Sequence, residues 1–379
     1  MIFNRTKKRI RTRLLIYLYE VKSVLIGFLY RISSQRKLFC PIPFKHMEIG
    51  VGGVTNLCCY IRKSPGVVNG NNLLEIYNSK AAKKIRKSIL NGSFKYCDLK
   101  NCPHYAAGNL PQQEDCSGSI YEEIIKNNTT QLNYVNLWLS FDSRCNLTCI
   151  SCRNDIVKCN NEQEQKVELL MDTVKKKLEC IKHIGLNGAG DPFVSPSMRD
   201  FLFNFDSIEY PHIQIALLTN GLLFDEKMWE RMRKAQPAIK SVQISVDGAT
   251  AESYEKIRRG SSFERLNNNL HFLSNLRKEK VINEFIISFV VNAINFREMP
   301  EFVRLGKTLA CDQIYFSHIV DWGALGKKYN EMAVHLPENK YHQEFISILT
   351  DTTFEDSSVE LGNIKRYRPK RILRESLFS

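Results

Sequence analysis

The sequence predicts an α/β protein built on a parallel sheet, with a small cysteine-rich region ahead of it. Three observations carry that expectation. From residue 131 onward, apolar runs that close on Gly, Asn or Asp alternate with longer amphipathic stretches; six of the twelve cysteines fall between residues 40 and 116; and no fixed-period repeat interrupts the pattern. Repeated strand–helix units with right-handed crossovers give a parallel sheet that is either doubly wound or curled into a barrel.

Six runs read as strands: "VNLWLSF" (135–141), "HIGLNG" (183–188), "IQIALLTNG" (213–221), "SVQISVDG" (241–248), "EFIISFVVN" (284–292) and "DQIYFSHI" (312–319). Segments 163–182, 225–235, 251–277 and 297–310 are long enough for the crossover helices. Chemistry is expected in the loops after the carboxyl ends of the strands. In the cysteine-rich region, "SKAAKKIRKSILNG" (79–92) has helical spacing. The expected divisions are a basic N-terminal helix at 1–37, a cysteine-rich module at 38–130, the sheet region at 131–322 and an extension with a basic tail at 323–379.

The 379 residues, 43% of them apolar, suffice for one large core and a smaller one. The net charge of +14 sits at the ends. Residues 1–37 hold ten Lys/Arg against Glu20, and residues 365–379 hold six against Glu375, while the remaining 38 basic and 38 acidic residues cancel. A body of zero net charge argues against nucleic acid as a partner. Two basic ends instead suit a membrane surface or an acidic partner.

The stretch "LLIYLYEVKSVLIGFLYRI" (14–32) places Glu20, Ser23, Gly27 and Arg31 on one narrow helical stripe among apolar residues. Its uninterrupted apolar runs are far shorter than the roughly 18 residues of a membrane span. Two readings stay open: a helix packed on the body, or an interfacial helix with a basic collar that makes peripheral membrane contact. No secretory signal with a small-residue cleavage site is visible, so a reducing cytoplasm is expected, where clustered cysteines more often hold metal than pair.

The loop after the first strand, "SFDSRCNLTCISCRND" (140–155), holds Cys145, Cys149 and Cys152. On a helix this spacing would make a buried face, but Arg144, Asn146, Thr148 and Ser151 suit an exposed loop. A structural zinc site wants four protein ligands. Three thiolates fit a four-iron cluster that keeps one iron open.

This Cys-x3-Cys-x2-Cys loop resembles the cluster loop of the radical S-adenosylmethionine (radical SAM) family, and its company follows in chain order. The second strand ends in "NGAGDPF", similar to the family's Gly-Gly-Glu-Pro segment, the third in "LLTNG" and the fourth in "ISVDGATAESYEKIRRG". The resemblance implies a partial (β/α)6 barrel from about 135 to 320. It implies that Cys145, Cys149 and Cys152 hold a [4Fe–4S] cluster, and that Gly188, Gly190, Asp191, Asn220, Ser245, Asp247 and Arg258 bind S-adenosyl-L-methionine (SAM). Ser245 and Arg258 would meet the methionine end. Two departures bear on cofactor affinity: Ser151 stands where an aromatic residue is common, and Asp191 where Glu is usual.

The N-terminal cysteines resemble the auxiliary-cluster module called SPASM, or its shortened Twitch form. "CPIPFKHMEIGVGGVTNLCC" spaces Cys40 from Cys58, "YCDLKNCP" adds Cys97 and Cys102, and "NNLLEIYNSKAAKKIRKSI" is close to the module's usual helical run. The resemblance implies a second [4Fe–4S] cluster on Cys40, Cys58, Cys97 and Cys102, with zinc as the rival occupant. Such modules more often follow the barrel than precede it. Cys59, Cys159, Cys180 and Cys311 are expected to pack as small apolar groups, and Cys116 is left open between packing and ligation.

The family implies an enzyme, an oxidoreductase or radical-based modifying enzyme. It would cleave SAM reductively to a 5′-deoxyadenosyl radical and abstract hydrogen from a carbohydrate, another small molecule or a peptide, with flavodoxin or ferredoxin as electron donor. Residues 1–37 are too short for a separate peptide-leader-binding domain, which tilts the expectation toward a small molecule. The alternative is a non-catalytic iron–sulfur or zinc scaffold that keeps the fold and binds a partner. A scaffold has no need for an intact cofactor pocket beside three cluster thiols.

Overall fold

The computed structural model describes residues 37–369 except residues 71, 101, 107 and 188. The N-terminal amphipathic stretch, the basic tail from 370 onward and Gly188 therefore lie outside the described residues. Among the described residues, no helix is long and apolar enough to cross a membrane.

All six expected strands form, and they lie side by side in chain order. The sheet has nine strands: β1 (His46–Gly50), β2 (Thr55–Asn56), β3 (Val135–Ser140), β4 (Ile181–Leu186), β5 (Gln214–Thr219), β6 (Ile239–Ser245), β7 (Glu284–Val291), β8 (Gln313–His318) and β9 (Val359–Glu360). Their order is β2-β1-β3-β4-β5-β6-β7-β8-β9. Only β2 runs antiparallel, to β1; every other pairing is parallel. β3 to β8 are the strands of the six βα units expected of the partial barrel.

Period-two alternation positions the site. On the helix side, Leu137, Leu139, Ile184, Leu186, Val242, Ile244, Ile287, Phe289, Ile314 and Phe316 are buried in one continuous core. Burying each such side chain contributes about 1.5–3 kcal/mol. The alternate positions, among them Trp138, His183, Gln243, Ser245, Gln313 and Tyr315, are only half-buried and line the inner face. Trp138 lies across Gly185, where any Cβ would strike its ring, and its ring faces His46 and His183 at 6.1 and 5.9 Å.

The crossover helices begin where side chains cap them. Helix α1 (Lys80–Leu90) belongs to the cysteine-rich region and starts at Ser79, whose hydroxyl accepts from the Ala82 amide. Helix α2 (Asn161–Lys175) opens on a reciprocal box: Asn160 accepts from the Gln163 amide, and Gln163 accepts from the Asn160 amide, both at 2.9 Å. Helix α3 (Pro196–Asn204), capped by Ser195 with Pro196 at its first position, was not among the expected segments. Helix α4 (Glu226–Glu230) is capped by Asp225.

The segment 251–277, long enough for a crossover helix, holds one short helix and most of a second. Helix α5 (Ala251–Ile257) stops at Arg258, and helix α6 (Phe263–Lys278) restarts after Ser262. Gly260, at φ +88°, takes the left-handed turn between them. Helix α7 (Met299–Thr308) precedes β8.

The cysteine-rich region is not separate from the sheet. β1 pairs with β3 from His46–Asn136 to Gly50–Ser140, and its Met47 and Ile49 join the same core. The run "HMEIG" escaped notice as a strand because it is short and offers only two apolar inward positions. Arg86 on α1 ties the region together: its Nε donates to Pro43 O at 2.8 Å, its Nη1 donates to Thr130 O at 2.9 Å, and its guanidinium lies 4.2 Å from the Tyr77 ring centre. At the far edge, β9 extends the sheet from the C-terminal extension. Lys100 and the short helix Pro103–Ala106 meet the turn Gly362–Tyr367 beside it, with Arg366 Nη1 donating to Lys100 O at 3.4 Å. The N-terminal region thus spans the gap between the two edges of the sheet.

Candidate active site

Four βα loops converge at the carboxyl ends of the strands. The loop after β3 carries the three thiols, and its path is fixed from outside itself. Thr148 N donates to Arg259 O at 3.1 Å and Ile150 N to Ile257 O at 3.0 Å, so the thiol loop is laced to the end of α5. At its start, Arg144 grips Asp142 through Nε and Nη2, the closest pair at 2.7 Å. Burial alone would raise the Asp142 carboxyl, yet hydrogen bonds from Arg144 and Ser195 hold it below its ordinary value. Arg153, directly after the last thiol, donates to Ser143 O and Ala189 O and so joins this loop to the one after β4.

Cys145, Cys149 and Cys152 line one cleft together with Gly190, Asp191, Asn220, Ser245, Asp247 and Arg258. Every described residue expected to serve the cluster or SAM is in that cleft; only Gly188 goes undescribed. Leu147, Leu218 and Val290 supply its apolar walls, and Ser151 borders it too.

Each polar residue has a definite setting. Gly190 admits no side chain, because a Cβ there would collide with the backbone of Asp142, Ser143 and Arg144. Asp191 is 3% exposed, and both its carboxylate oxygens are engaged by the protein: Thr219 Oγ1 at 2.7 Å, the Asn220 amide at 2.9 Å and the Phe193 amide at 3.0 Å. Burial raises its pKa despite those bonds. Its side chain therefore joins two loops, and its backbone is what it presents to the cleft. Asn220 donates to Asn146 Oδ1 at 2.8 Å and accepts from the Leu222 amide at 3.0 Å.

Arg258 is the cationic group of the cleft that lies closest to full burial. Its Nη2 pairs with Asp247 Oδ2 at 2.7 Å, with the side chains 11% and 6% exposed. Its Nε is buried and has no partner. Burial works against its charge, but Asp247 and the nearby Cys149 outweigh that and hold the guanidinium protonated. Asp247 adopts φ +67°, and its second oxygen accepts from the Val290 amide at 2.7 Å. Cys149 is pushed upward by burial, with Arg258 opposing, and Cys145 is pushed upward by burial as well.

Two supporting residues gave no sequence signal. Glu298 accepts from the amides of Ala249 and Thr250 at 2.7 and 3.2 Å and from Ser253 Oγ at 2.6 Å, which fixes the start of α5. Asn295 donates to Asp247 O at 2.9 Å and to Val290 O at 3.0 Å. Both arrive from more than forty residues away in sequence, so no local motif contains them.

The N-terminal thiols gather by a second route. Residues 60–62 pair with 96–98 (Arg62 N to Tyr96 O at 3.0 Å, Asp98 N to Tyr60 O at 2.7 Å), which sets Cys58 beside Cys97. Cys40 and Cys97 are each pushed up to about 12, by burial first; the charges of Cys58 and Cys102 add to it in both, and that of Cys40 in Cys97. Cys58 and Cys102 are raised too, Cys58 chiefly by its hydrogen bond with Cys59 and then by burial, Cys102 by burial. The four thiols expected to act together are thus within electrostatic reach of one another. Among the described residues, no three thiols, imidazoles or carboxylates are arranged to hold a single metal ion.

Cys59 departs from its expected packing role. It is exposed, hydrogen-bonds Cys58, and acts electrostatically on Tyr60 and Tyr315. Cys116 is buried with Phe39, Phe44, Ile89, Leu90 and Phe94, its thiol facing Gln112 O at 3.5 Å. Cys311 is buried in the main core as expected, while Cys159 and Cys180 are only partly covered.

The residues present fit the implied groups. Among the described residues the cleft offers three thiols and no fourth, a buried guanidinium Nε without a partner to meet a carboxylate, and at Gly190 a backbone that only glycine permits.

Comparison with known proteins agrees with this geometry. Residues 139–315 match the Radical SAM superfamily, and residues 40–103 match SPASM, an iron–sulfur cluster-binding domain. Among curated relatives, GTP 3′,8-cyclase of Clostridium botulinum (strain Langeland) is 26% identical over 246 residues, covering 62% of this chain and 73% of that protein. AdoMet-dependent heme synthase of Methanosarcina barkeri is 26% identical over 185 residues, 47% of this chain and 49% of its own. Among solved structures, Streptococcus suis SuiB bound to precursor peptide SuiA is 14% identical with a TM-score of 0.43, over 76% of this chain and 64% of that one. The thiol loop falls within the first matched range and Cys40, Cys58, Cys97 and Cys102 within the second, so the chain carries a radical SAM domain and an iron–sulfur cluster-binding SPASM domain and is an enzyme with SAM and [4Fe–4S] clusters as its cofactors.

Proposed function

We propose that the protein cleaves SAM reductively and abstracts a hydrogen atom from a substrate held on the inner face of the sheet, with net oxidation or modification of that substrate. One observation carries this reading: three thiols meet Gly190, Asn220, Ser245 and Arg258 in a single cleft built from four separate βα loops.

In this reading Cys145, Cys149 and Cys152 hold the SAM-binding cluster, and Cys40, Cys58, Cys97 and Cys102 hold the auxiliary one. When bound, cluster and cofactor supply a 5′-deoxyadenosyl radical. The chain's own residues bind and orient. Arg258 and Ser245 receive the cofactor carboxylate, the backbone at 188–191 receives its amino group, and Leu147, Leu218 and Val290 keep water from the reacting centre. The carboxylates of Asp191 and Asp247 position rather than touch: one joins the loops after β4 and β5, the other holds Arg258.

The division at residue 130 is functional in this reading, since β1 makes the two regions one sheet. A flavodoxin or ferredoxin would supply the electron. The basic segment 1–37 would place a cytoplasmic enzyme against an anionic membrane surface.

Anaerobic iron and sulfide analysis tests the assignment. Two four-iron clusters give about eight of each per chain, and changing Cys145, Cys149 and Cys152 together to Ala removes about half. Stable zinc with little iron in anaerobically prepared protein would overturn it.

A further inference from the structure

One step inward from the SAM cleft lies a second cavity, of about 380 Å³. Its walls come from three parts of the chain. Gln243 on β6, with Gln313 and Tyr315 on β8, projects from the inner face. Glu360, Gly362 and Lys365 come from the C-terminal edge, and Pro103, His104 and Asn109 from the segment directly after Cys102. Gln243 is two residues before Ser245 on the same face, a separation of about 6.6 Å along the strand. Tyr315 is within electrostatic reach of Glu360 and of Cys59. The cavity is thus lined by the strand that carries Ser245 and by the segment that follows Cys102.

Its hydrogen-bonding groups are mostly free. Among the described residues, the side chains of Gln243, Gln313, Tyr315, His104, Asn109 and Lys365 have no intramolecular hydrogen-bond partner, while Glu360 accepts from the Gly362 amide at 3.0 Å. Three amides, a phenol and an imidazole offer donors and acceptors in mixture. The lining holds one carboxylate and one ammonium, so it carries no large charge of either sign.

That composition selects among ligand classes. A nucleoside triphosphate calls for several Arg or Lys around its phosphates; this lining holds one Lys and one Glu. An extended peptide is recognised through main-chain pairing at a free strand edge. β6 and β8 are each paired on both sides, so their main chains are occupied. A hydroxyl both donates and accepts, which is what the side-chain amides complement, and the Tyr315 ring adds an apolar surface for a C–H face.

We infer that this cavity is the substrate subsite for a neutral polyhydroxylated small molecule, a sugar or cyclitol unit. The inference rests on the radical SAM reading for what becomes of the ligand, and on the cavity alone for its binding.

The test is binding of the fluorescently labelled, reconstituted full-length protein with SAM to a printed array of mono- and disaccharides and inositols. GTP and an extended decapeptide serve as soluble competitors. The expected result is saturable binding to a subset of the array, weakened at least tenfold in a Gln243→Leu/Gln313→Leu variant and at least threefold in Tyr315→Phe. Unchanged iron content and melting temperature identify the variants as folded; if the double variant fails this, Tyr315→Phe decides. No binding to any printed sugar or inositol, equal binding by the folded variants, or displacement by GTP or the peptide would each overturn the inference. Failure of the wild type to cleave SAM would instead strike the functional reading and leave the binding result standing.

Discussion

Arg258 Nη2 lies 2.7 Å from Asp247 Oδ2 in a buried pair, and the Nε of the same guanidinium is buried with no partner. The pair fixes the plane of the guanidinium, and Nε, without a partner among the described residues, is a donor left for a ligand. A charge-assisted bond of this kind contributes about 1.5–3 kcal/mol.

Arg258→Ala is therefore predicted to weaken SAM binding by about tenfold to a hundredfold, measured by equilibrium dialysis on the reconstituted protein. Asp247→Asn keeps the shape but lets the guanidinium swing, so a smaller loss is expected. Wild-type affinity in Arg258→Ala would place the carboxylate contact elsewhere.

Glu298 never touches the cleft, yet it accepts from two backbone amides and a hydroxyl at the start of α5. Removing it leaves the half-buried Ala249 amide without its acceptor and the Ser253 hydroxyl with only Thr250 O at 3.3 Å, at about 1 kcal/mol. Glu298→Ala should lower the melting temperature by a few degrees and also weaken SAM binding, because α5 leads directly into Arg258. Glu298→Gln, which keeps one acceptor, should recover part of both. A fall in melting temperature with unchanged SAM affinity would separate α5 from the cofactor site.

Two histidines make stability depend on mild acid. His335, stacked on His318 at 3.9 Å, is held down to about 3 by burial, then by His318, His342 and Arg366. His46 is held at about 4 by burial, then by Lys45 and His183. Both are neutral in the folded chain and take up protons in the unfolded chain below about 6.5. Their contribution is thus complete above pH 6.5 and is lost as pH falls toward 4 and 3. The slope is at most about 1.4 kcal/mol per pH unit for each group. Melting temperatures between pH 7 and 5.5 should fall less steeply in His335→Phe than in the wild type; parallel slopes would count against a neutral buried His335.

Much of the fold was legible because its signals are local. Most of the six strands are apolar runs ending in a turn residue, and the thiol loop, "GAGDP", "TNG" and "RRG" each sit within a few residues of a strand or helix end. What escaped is what depends on distant partners. β1 is a strand because Met47 and Ile49 find a place beside β3, ninety residues on. The break at Arg258 follows from a left-handed glycine and from the lacing of Ile257 and Arg259 to the thiol loop. Asp191 lines the cleft, and the engagement of its carboxylate by Thr219, Asn220 and Phe193 is a fact no spacing in the sequence contains.

The central claim is that Cys145, Cys149 and Cys152 hold the cluster at which SAM is cleaved. The most direct measurement is 5′-deoxyadenosine formed from SAM by reconstituted protein under strong reductant, without any substrate, in the wild type and in Cys149→Ala. The account predicts steady formation by the wild type and none above background in Cys149→Ala, while Cys97→Ala keeps much of it provided that the variant folds. Undiminished formation in Cys149→Ala, or none in a wild type with a full complement of iron, would contradict it.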